Sequence, residues 1–351
     1  MKILILALAG IGDALMFTPA LRLLRKAEPS AQIDILVMLK GAGEIYYTNP
    51  DINKVIHFDF IKQGFFKSLK FLLSIRKKYD VTVNVYPSNR REYNVVHFLI
   101  GAKKRLAIDY LRMNFTNLGW LNTLTIKEND SLHNVHENIR LIENLLNKNF
   151  EENPPLQLYL KEEDISYANN FLIENTVGEK EIIIGFHPGC ATLKNHIKRR
   201  WEPEKFAELA KMLIQKHSAK IFLFGGPDED NLKEKIYKQI NAIDVFIIKT
   251  PDLLKSAAVM KRCNVFVTND SSLMHISSAL GLRVVAIIGP TNTNYIRPWQ
   301  TEHKIVSLNL ECAPCFYYSP KPLTCTRTDI KYKCIKDLDT EKVYLAIAQY
   351  L

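Results

Sequence analysis

ILILALAGIGD, residues 3–13, is an unbroken apolar run that ends on two glycines and an aspartate. A strand buried on both faces has this composition, and glycines at its end let the chain turn tightly into a helix. Thr18-Pro19 opens that helix, whose apolar side passes through Leu21, Leu24 and Ala27. The alternation repeats outward. IDILVM (33–38) and VIHF (55–58) predict further strands, and Phe65, Leu69, Leu72 and Ile75 are spaced as one side of a helix. The strand DVTVNVY (80–86) and a helix around His97 to Ile100 follow. Strand–helix alternation of this kind predicts a doubly wound, parallel α/β sheet.

EENPPL, residues 151–156, interrupts the pattern with two prolines beside acids. Beyond a helix near 162–174 the alternation restarts. EIIIGFHPG (181–189), KIFLFGG (220–226), DVFIIK (244–249), NVFVTND (264–270) and VVAIIGP (284–290) are strands that end in glycine or polar turns. PEKFAELAKMLIQKH (203–217) is an amphipathic helix opened by Pro203. A chain of 351 residues also exceeds the ~250–300 at which a single core stops growing. The expected domains are 1–155, 156–335, and a C-terminal helix over 336–351 that packs back on the first.

Apolar residues make up 47% of the chain, which excludes disorder and collagen. No stretch of about 18 apolar residues is present to span a bilayer. The first segment carries glycines and Asp13 and lacks a small-residue cleavage site, so a buried strand is expected there rather than a signal peptide. Lys and Arg total 47 against 37 Asp and Glu, a net charge of +10. Residues 1–155 hold 21 basic and 15 acidic side chains, so +6 of that charge lies in the first half. An anionic partner suits this balance. No run of five basic residues and no nucleic-acid motif points to DNA or RNA.

Ligands of open α/β sheets bind beyond the carboxyl ends of the strands, and the polar clusters AGIGD, HPG, GGPDED, TNDSS and GPTN all lie there. Gly10, Gly12 and Leu15 depart from G-x-G-x-x-G, so a dinucleotide site is not indicated. Asp13 suits two roles, a helix cap worth about 1 kcal/mol or a general base that takes a hydroxyl proton. The basic run from Lys194 to Arg200, with Lys198 and Arg199, could grip a diphosphate or be a solvated loop. Ser271 and Ser272 resemble N-caps whose neighbouring N–H groups could receive phosphate. Tyr86, Arg90 and Arg91, with Lys103, Lys104 and Arg105, could meet an anionic acceptor or form an ordinary basic surface.

GIGDALMFTPALRLLR, HPG followed by RRW-x-P-x-x-F-A-x-L, FGGPDE, TNDSSLMHISSALG and GPT, in this order, resemble glycosyltransferase family 9, the ADP-heptose heptosyltransferases of lipopolysaccharide assembly. The likeness runs over nearly the whole chain. It implies a GT-B architecture of two Rossmann-like doubly wound domains facing a cleft. The first would take the acceptor, with Gly12, Arg90, Arg91, Lys103 and Arg105 as contacts. The second would take the nucleotide sugar. It implies an inverting transfer without a cofactor and with Asp13 as the base. Gly189, Lys198, Arg199, Asp228, Glu229, Asp270, Ser271, Ser272, His275 and Thr291 fall on its donor-binding segments. Three departures stand out: Arg199 where a lysine is common, Glu202 inserted after Trp201, and Ser271-Ser272 where Thr-Gly or Ser-Gly is usual. Arg199 can still serve a phosphate, and the Ser271-Ser272 departure bears on the identity of the sugar more than on the reaction. The implied partners are an ADP-heptose-type donor and an anionic, lipopolysaccharide-like acceptor. The implied place is the cytoplasm, peripheral to the inner membrane, in a protein that could form oligomers.

Cys312, Cys315, Cys325 and Cys334 form C-x2-C-x9-C-x8-C, a spacing that suits four thiolates on a structural zinc or iron, or four free thiols in a reducing compartment. Cys190 and Cys263 are isolated and expected to be buried. Iron-binding loops of this kind mark the autotransporter branch of the resembled family, so a protein O-heptosyltransferase is the alternative enzyme. A nucleotide-binding module without turnover is the alternative outside enzymes.

Overall fold

The computed structural model describes residues 1–112, 115–317 and 321–351. Its strands gather into two six-stranded sheets, and every pairing within them is parallel. The first comprises β1 (Lys2–Ala7), β2 (Gln32–Val37), β3 (Lys54–His57), β4 (Val81–Asn84), β5 (Lys104–Asp109) and β6 (Leu124–Lys127), in the order β3-β2-β1-β4-β5-β6. The second comprises β7 (Ile183–His187), β8 (Lys220–Leu223), β9 (Val245–Ile247), β10 (Val265–Asn269), β11 (Arg283–Ile287) and β12 (His303–Val306), in the order β12-β11-β10-β7-β8-β9. Counted from its own first strand, each sheet has the Rossmann order 3-2-1-4-5-6. The order reverses beside β1 and β4 in the first sheet, and beside β7 and β10 in the second.

Burial explains the strands that the apolar runs revealed. Ile3 to Leu6 and Val265 to Val267 are fully enclosed, because helices cover both faces of a parallel sheet. β5, β6 and β12 were not legible in the sequence. β5 opens on the charged pair Lys104-Arg105, and β6 and β12 are four-residue strands at sheet edges, partly exposed.

The chain divides into two compact units between Tyr159 and Leu160, four residues beyond the expected boundary. Two hydrogen bonds hold the extra residues on the first unit. Gln157 N–H donates to Thr18 Oγ1 at 2.9 Å, and Thr48 Oγ1 donates to the Tyr159 carbonyl at 2.9 Å. The expected return of residues 336–351 to the first domain is corrected. The helix Thr340–Ala348 packs on the helix Pro203–His217 and on β11 and β12 of the second unit. Val343 and Ile347 are buried there, Thr340 Oγ1 donates to Glu208 at 2.6 Å, and Trp201 Nε1 donates to the Leu338 carbonyl at 2.9 Å. Among the described residues, no helix is long and apolar enough to cross a membrane.

Candidate active site

In the first unit the polar cluster forms where β1 and β4 end. Gly10 is the N-cap of the helix Ile11–Met16. Asp13 caps from inside that helix, its Oδ2 accepting the Gly10 N–H at 2.9 Å. The cap therefore exists, and it holds a half-buried carboxylate in a fixed orientation at the carboxyl edge of the sheet. Gly12 is buried in the same turn. After β4, Arg90 is the N-cap of the helix Arg91–Ile100, and its guanidinium lies over the Tyr93 ring at 5.7 Å. Tyr93 in turn donates to the Leu8 carbonyl at 3.0 Å, which ties the two turns together. Burial is the main cause that raises the Tyr93 phenol above its ordinary pKa, and the Asp13 charge adds to it while Arg90 opposes it. Asp13, Arg90 and Tyr93 thus share one neighbourhood. Arg91 is exposed and pairs with Glu92 at 3.1 Å.

Two acceptor expectations fail on topology. Lys103 precedes β5 and Arg105 lies in its first residues, at the amino edge of the sheet, opposite to Asp13. Arg105 is also occupied there, donating to the Leu121 carbonyl at 3.0 Å and the Ala102 carbonyl at 2.9 Å, with its guanidinium over Phe98. The reason is the unread strand. Without β5, residues 103–105 look like a loop after a helix, when they are the entry to a strand.

In the second unit the cluster forms where β7 and β10 end. His187, the last residue of β7, is buried between two partners. Its Nδ1 lies 2.8 Å from Ser271 Oγ, and its Nε2 lies 3.0 Å from Glu229 Oε2. Glu229 also accepts from Arg200 at 3.1 Å and from the Gly226 N–H at 3.2 Å. Burial works to raise the Glu229 carboxyl, but these partners outweigh it and hold the group below its usual range. Next to this network Arg199 donates to Asp270, which also accepts from Thr291 Oγ1 at 2.6 Å. Both members of the Arg199–Asp270 pair are buried. Arg199 lies over the Phe316 ring at 5.5 Å, and the Phe316 and Cys315 N–H groups both donate to the Pro290 carbonyl at 2.9 Å. Asn269 accepts from the Trp201 N–H at 3.0 Å and donates to the Pro188 carbonyl at 2.7 Å.

Ser271 is the N-cap of the helix Ser272–Ala279 by position, but its side chain makes no cap bond. Its hydroxyl meets His187 and Thr268 Oγ1 instead, the latter at 3.0 Å. The first N–H groups of this helix are therefore left without a side-chain cap, beside the Arg199–Asp270–Thr291 cluster. His275 lies in the first turns of the same helix. Burial pushes its pKa down to about 4 despite the Asp270 charge, and its Nδ1 has no hydrogen-bond partner among the described residues. Gly189 is required by close approach, since a Cβ there would fall inside the Glu229 carboxylate. Asp228 and Lys198 are exposed beside these groups, and Ser272 opens the helix.

The structure thus brings together Gly189, Arg199, Glu229, Asp270, Ser271, His275 and Thr291. Arg200, from the basic run, joins the same cluster, and so do His187, Asn269 and Phe316, which were not singled out in the sequence. The position of His187 and Asn269 at strand ends was the available signal. Phe316 carried none, because a loop brings it in from far along the chain.

All six cysteines are free thiols. The C-x2-C-x9-C-x8-C loop is tied to the Gly289–Asn292 turn through the Pro290 carbonyl. Burial pushes Cys334 up to about 11, with the other three thiolates of the set adding to the shift. Cys325 Sγ accepts the Tyr332 N–H at 3.3 Å. Among the described residues, no group of three His, Cys, Asp or Glu side chains is arranged to hold a metal ion.

Two Rossmann-like sheets of one strand order, each with a polar constellation at its switch point, are the GT-B architecture. The chain belongs to glycosyltransferase family 9 (heptosyltransferase), whose family model matches residues 69–323, and it is a glycosyltransferase. Asp13 lies before that span. The lipooligosaccharide heptosyltransferase 2 of Campylobacter jejuni is 28% identical over 354 residues, covering 98% of this chain and 97% of that protein. Among solved structures, a family 9 glycosyltransferase from Veillonella parvula is 25% identical with a TM-score of 0.72, over 87% of this chain and 85% of that one. The E. coli ADP-heptose lps heptosyltransferase II shares the fold over 100% of this chain and 98% of its own, with a TM-score of 0.76 at 21% identity.

Proposed function

We propose that the protein transfers heptose from ADP-heptose to a lipopolysaccharide-type core acceptor, with the second unit holding the donor and the first the acceptor. The observation that carries this reading is the uncapped start of the helix Ser272–Ala279. Its N-cap hydroxyl is turned to His187 and Thr268, so its first amides have no side-chain cap and lie beside the Arg199–Asp270–Thr291 cluster, where an anion could be received. A diphosphate suits such a place. The names of the relatives supply the sugar and the acceptor: a lipooligosaccharide heptosyltransferase and an ADP-heptose lps heptosyltransferase.

In this reading Asp13 takes the proton of the acceptor hydroxyl as that oxygen attacks the anomeric carbon from the face opposite ADP. The Gly10 N–H keeps the carboxylate aimed. Arg90 meets an anionic group of the acceptor. Negative charge grows on the departing diphosphate, and fixed amides and Arg199 stabilise it without the need of a cofactor. The zinc or iron reading of Cys312, Cys315, Cys325 and Cys334 is supported by their spacing and by the electrostatic proximity of their thiols. Metal analysis of the purified protein and of a Cys325→Ser variant tests it, and absence of stoichiometric metal ends it.

The function is tested by thermal shift with ADP, UDP, GDP and dTDP at equal concentration. A ligand at ~100 times its dissociation constant adds about 2.7 kcal/mol. Selective stabilisation by ADP, followed by transfer from ADP-heptose to a core acceptor, is the expected result. Selective stabilisation by another nucleotide overturns the donor, and absence of transfer with ADP bound overturns the acceptor.

A further inference from the structure

The helix Phe60–Ile75 carries the wrong residues on its outer face for a protein that meets only water. Ile61, Phe65 and Phe66 are 75%, 74% and 84% exposed, and Leu73 is 52% exposed about two turns beyond Phe66 on the same face. The helix has ordinary ways to hide aromatics and uses them elsewhere. Phe58 and Phe71 stack at 4.1 Å with Phe60 edge-on to both, and Leu72 and Ile75 are buried. Phe65 and Phe66 instead stand at a corner. Gly64 has φ +73°, which breaks the helix there, and a Cβ at Gly64 would meet nothing within 4 Å. Space does not select this glycine; the backbone conformation that projects the two phenylalanines does.

Beyond the N-cap Asp59, which pairs with Lys62 at 3.8 Å, the charge along the segment is of one sign. From residue 60 to residue 78 there are six Lys and Arg and no Asp or Glu. Lys67 and Lys70, on the exposed side with Phe66 and Leu73, make no ion pair among the described residues. Exposed apolar side chains interleaved with unpaired cations are the pattern of a helix that lies in a membrane interface. The corner follows the carboxyl end of β3. It therefore lies on the same edge of the first sheet as the Gly10–Asp13 turn after β1 and Arg90 after β4.

We propose that this face docks the protein on an anionic lipid bilayer. Phe65 and Phe66 enter the headgroup boundary, Lys67 and Lys70 meet lipid phosphates, and the acceptor edge of the first sheet faces the surface that bears the acceptor. The inference deepens the proposed function and rests on its lipid-borne acceptor for its purpose, but the flotation that decides it needs neither donor nor turnover.

The test is flotation of the full chain with vesicles of phosphatidylcholine alone and of phosphatidylcholine and phosphatidylglycerol in about equal parts. The protein should float with the anionic vesicles only. Phe65→Ser/Phe66→Ser and Lys67→Glu/Lys70→Glu should each lose about tenfold or more of that partition. All four positions are exposed, and circular dichroism and nucleotide thermal shifts check that the variants remain folded. Flotation of neither protein nor variants, or equal flotation of all three, overturns the proposal. So does a dimer that the phenylalanine variant alone dissolves with vesicle binding unchanged, since the face would then serve a second copy. Transfer to a lipid-free acceptor should be the same in all three proteins. Its absence in all three would overturn the proposed function while leaving the flotation result standing.

Discussion

The two sheets share one strand order, and each places an aspartate at its switch point, yet the two aspartates are held in opposite ways. Asp270 lies in a closed network: Arg199 and Thr291 donate to it, and His187, Ser271, Glu229 and Arg200 interlock beside it. Asp13 is half-buried and is fixed by the amide of its own turn. The topology supplies equivalent places, and the side chains decide whether a place is a rigid cradle or a reactive group. In the proposed function the second place cradles a diphosphate and the first holds a base, and a cradle gains from being preorganised. A base must instead keep a carboxylate able to exchange protons.

Substitution of the two aspartates is the most direct way to break that contrast. Asp13→Ala should lower kcat by about 10²–10⁴. It should cost only about 1 kcal/mol of stability, the value of a helix cap, and leave ADP binding intact. Asp270→Ala should do the reverse in kind. It leaves the Arg199 guanidinium buried without its partner, a loss of about 3–5 kcal/mol seen in urea unfolding. If Asp13→Ala destabilises as much as Asp270→Ala, Asp13 is structural and the contrast fails.

Much of this contrast was legible in the sequence, because apolar runs ending in glycine or polar turns mark buried parallel strands and their ligand ends. Asp13, Gly189, Asp270 and Thr291 were found that way. Residues 103–105 were misplaced because β5 begins on charged residues and leaves no apolar signature at its start. Phe316 was invisible because its place depends on a long-range bond that its N–H donates to the Pro290 carbonyl, which no local pattern encodes. The missing cap at Ser271 was equally hidden. A serine before a helix predicts a cap, and only the position of His187 shows that its hydroxyl is engaged elsewhere.

Each unit also buries a neutral histidine, and pH compares the two. Burial pushes His97 in the first unit and His275 in the second down to about 4. In the unfolded chain each titrates near 6.5. Between those values the unfolded state holds the extra protons, so stability is fully present above about pH 6.5 and is lost as pH falls towards 4. The loss approaches about 3 kcal/mol for each residue. Urea unfolding from pH 7 to 4.5 should show shallower pH dependence in His97→Asn and in His275→Asn than in the parent chain. An unchanged slope in either variant means that its histidine titrates alike in the folded and unfolded chain.

The smallest effect concerns the two glycine turns. Gly10 and Gly189 each follow the first strand of their sheet, and each lies under an acidic side chain. A Cβ at Gly10 would stand 3.1 Å from Asp13 Oδ2, a contact that a small shift relieves. A Cβ at Gly189 would fall inside the Glu229 carboxylate, which His187, Arg200 and the Gly226 amide hold in place. Gly189→Ala should therefore cost about 1–3 kcal/mol, and Gly10→Ala less than about 1 kcal/mol. Glu229→Ala removes the obstruction, so the Gly189→Ala cost should vanish in the Gly189→Ala/Glu229→Ala double variant. The cycle, read from urea midpoints, should be non-additive by most of the single-variant loss, as expected for residues in contact. Additive losses would mean that Glu229 moves aside without cost and that the turn after β7 needs its glycine for a reason other than the carboxylate.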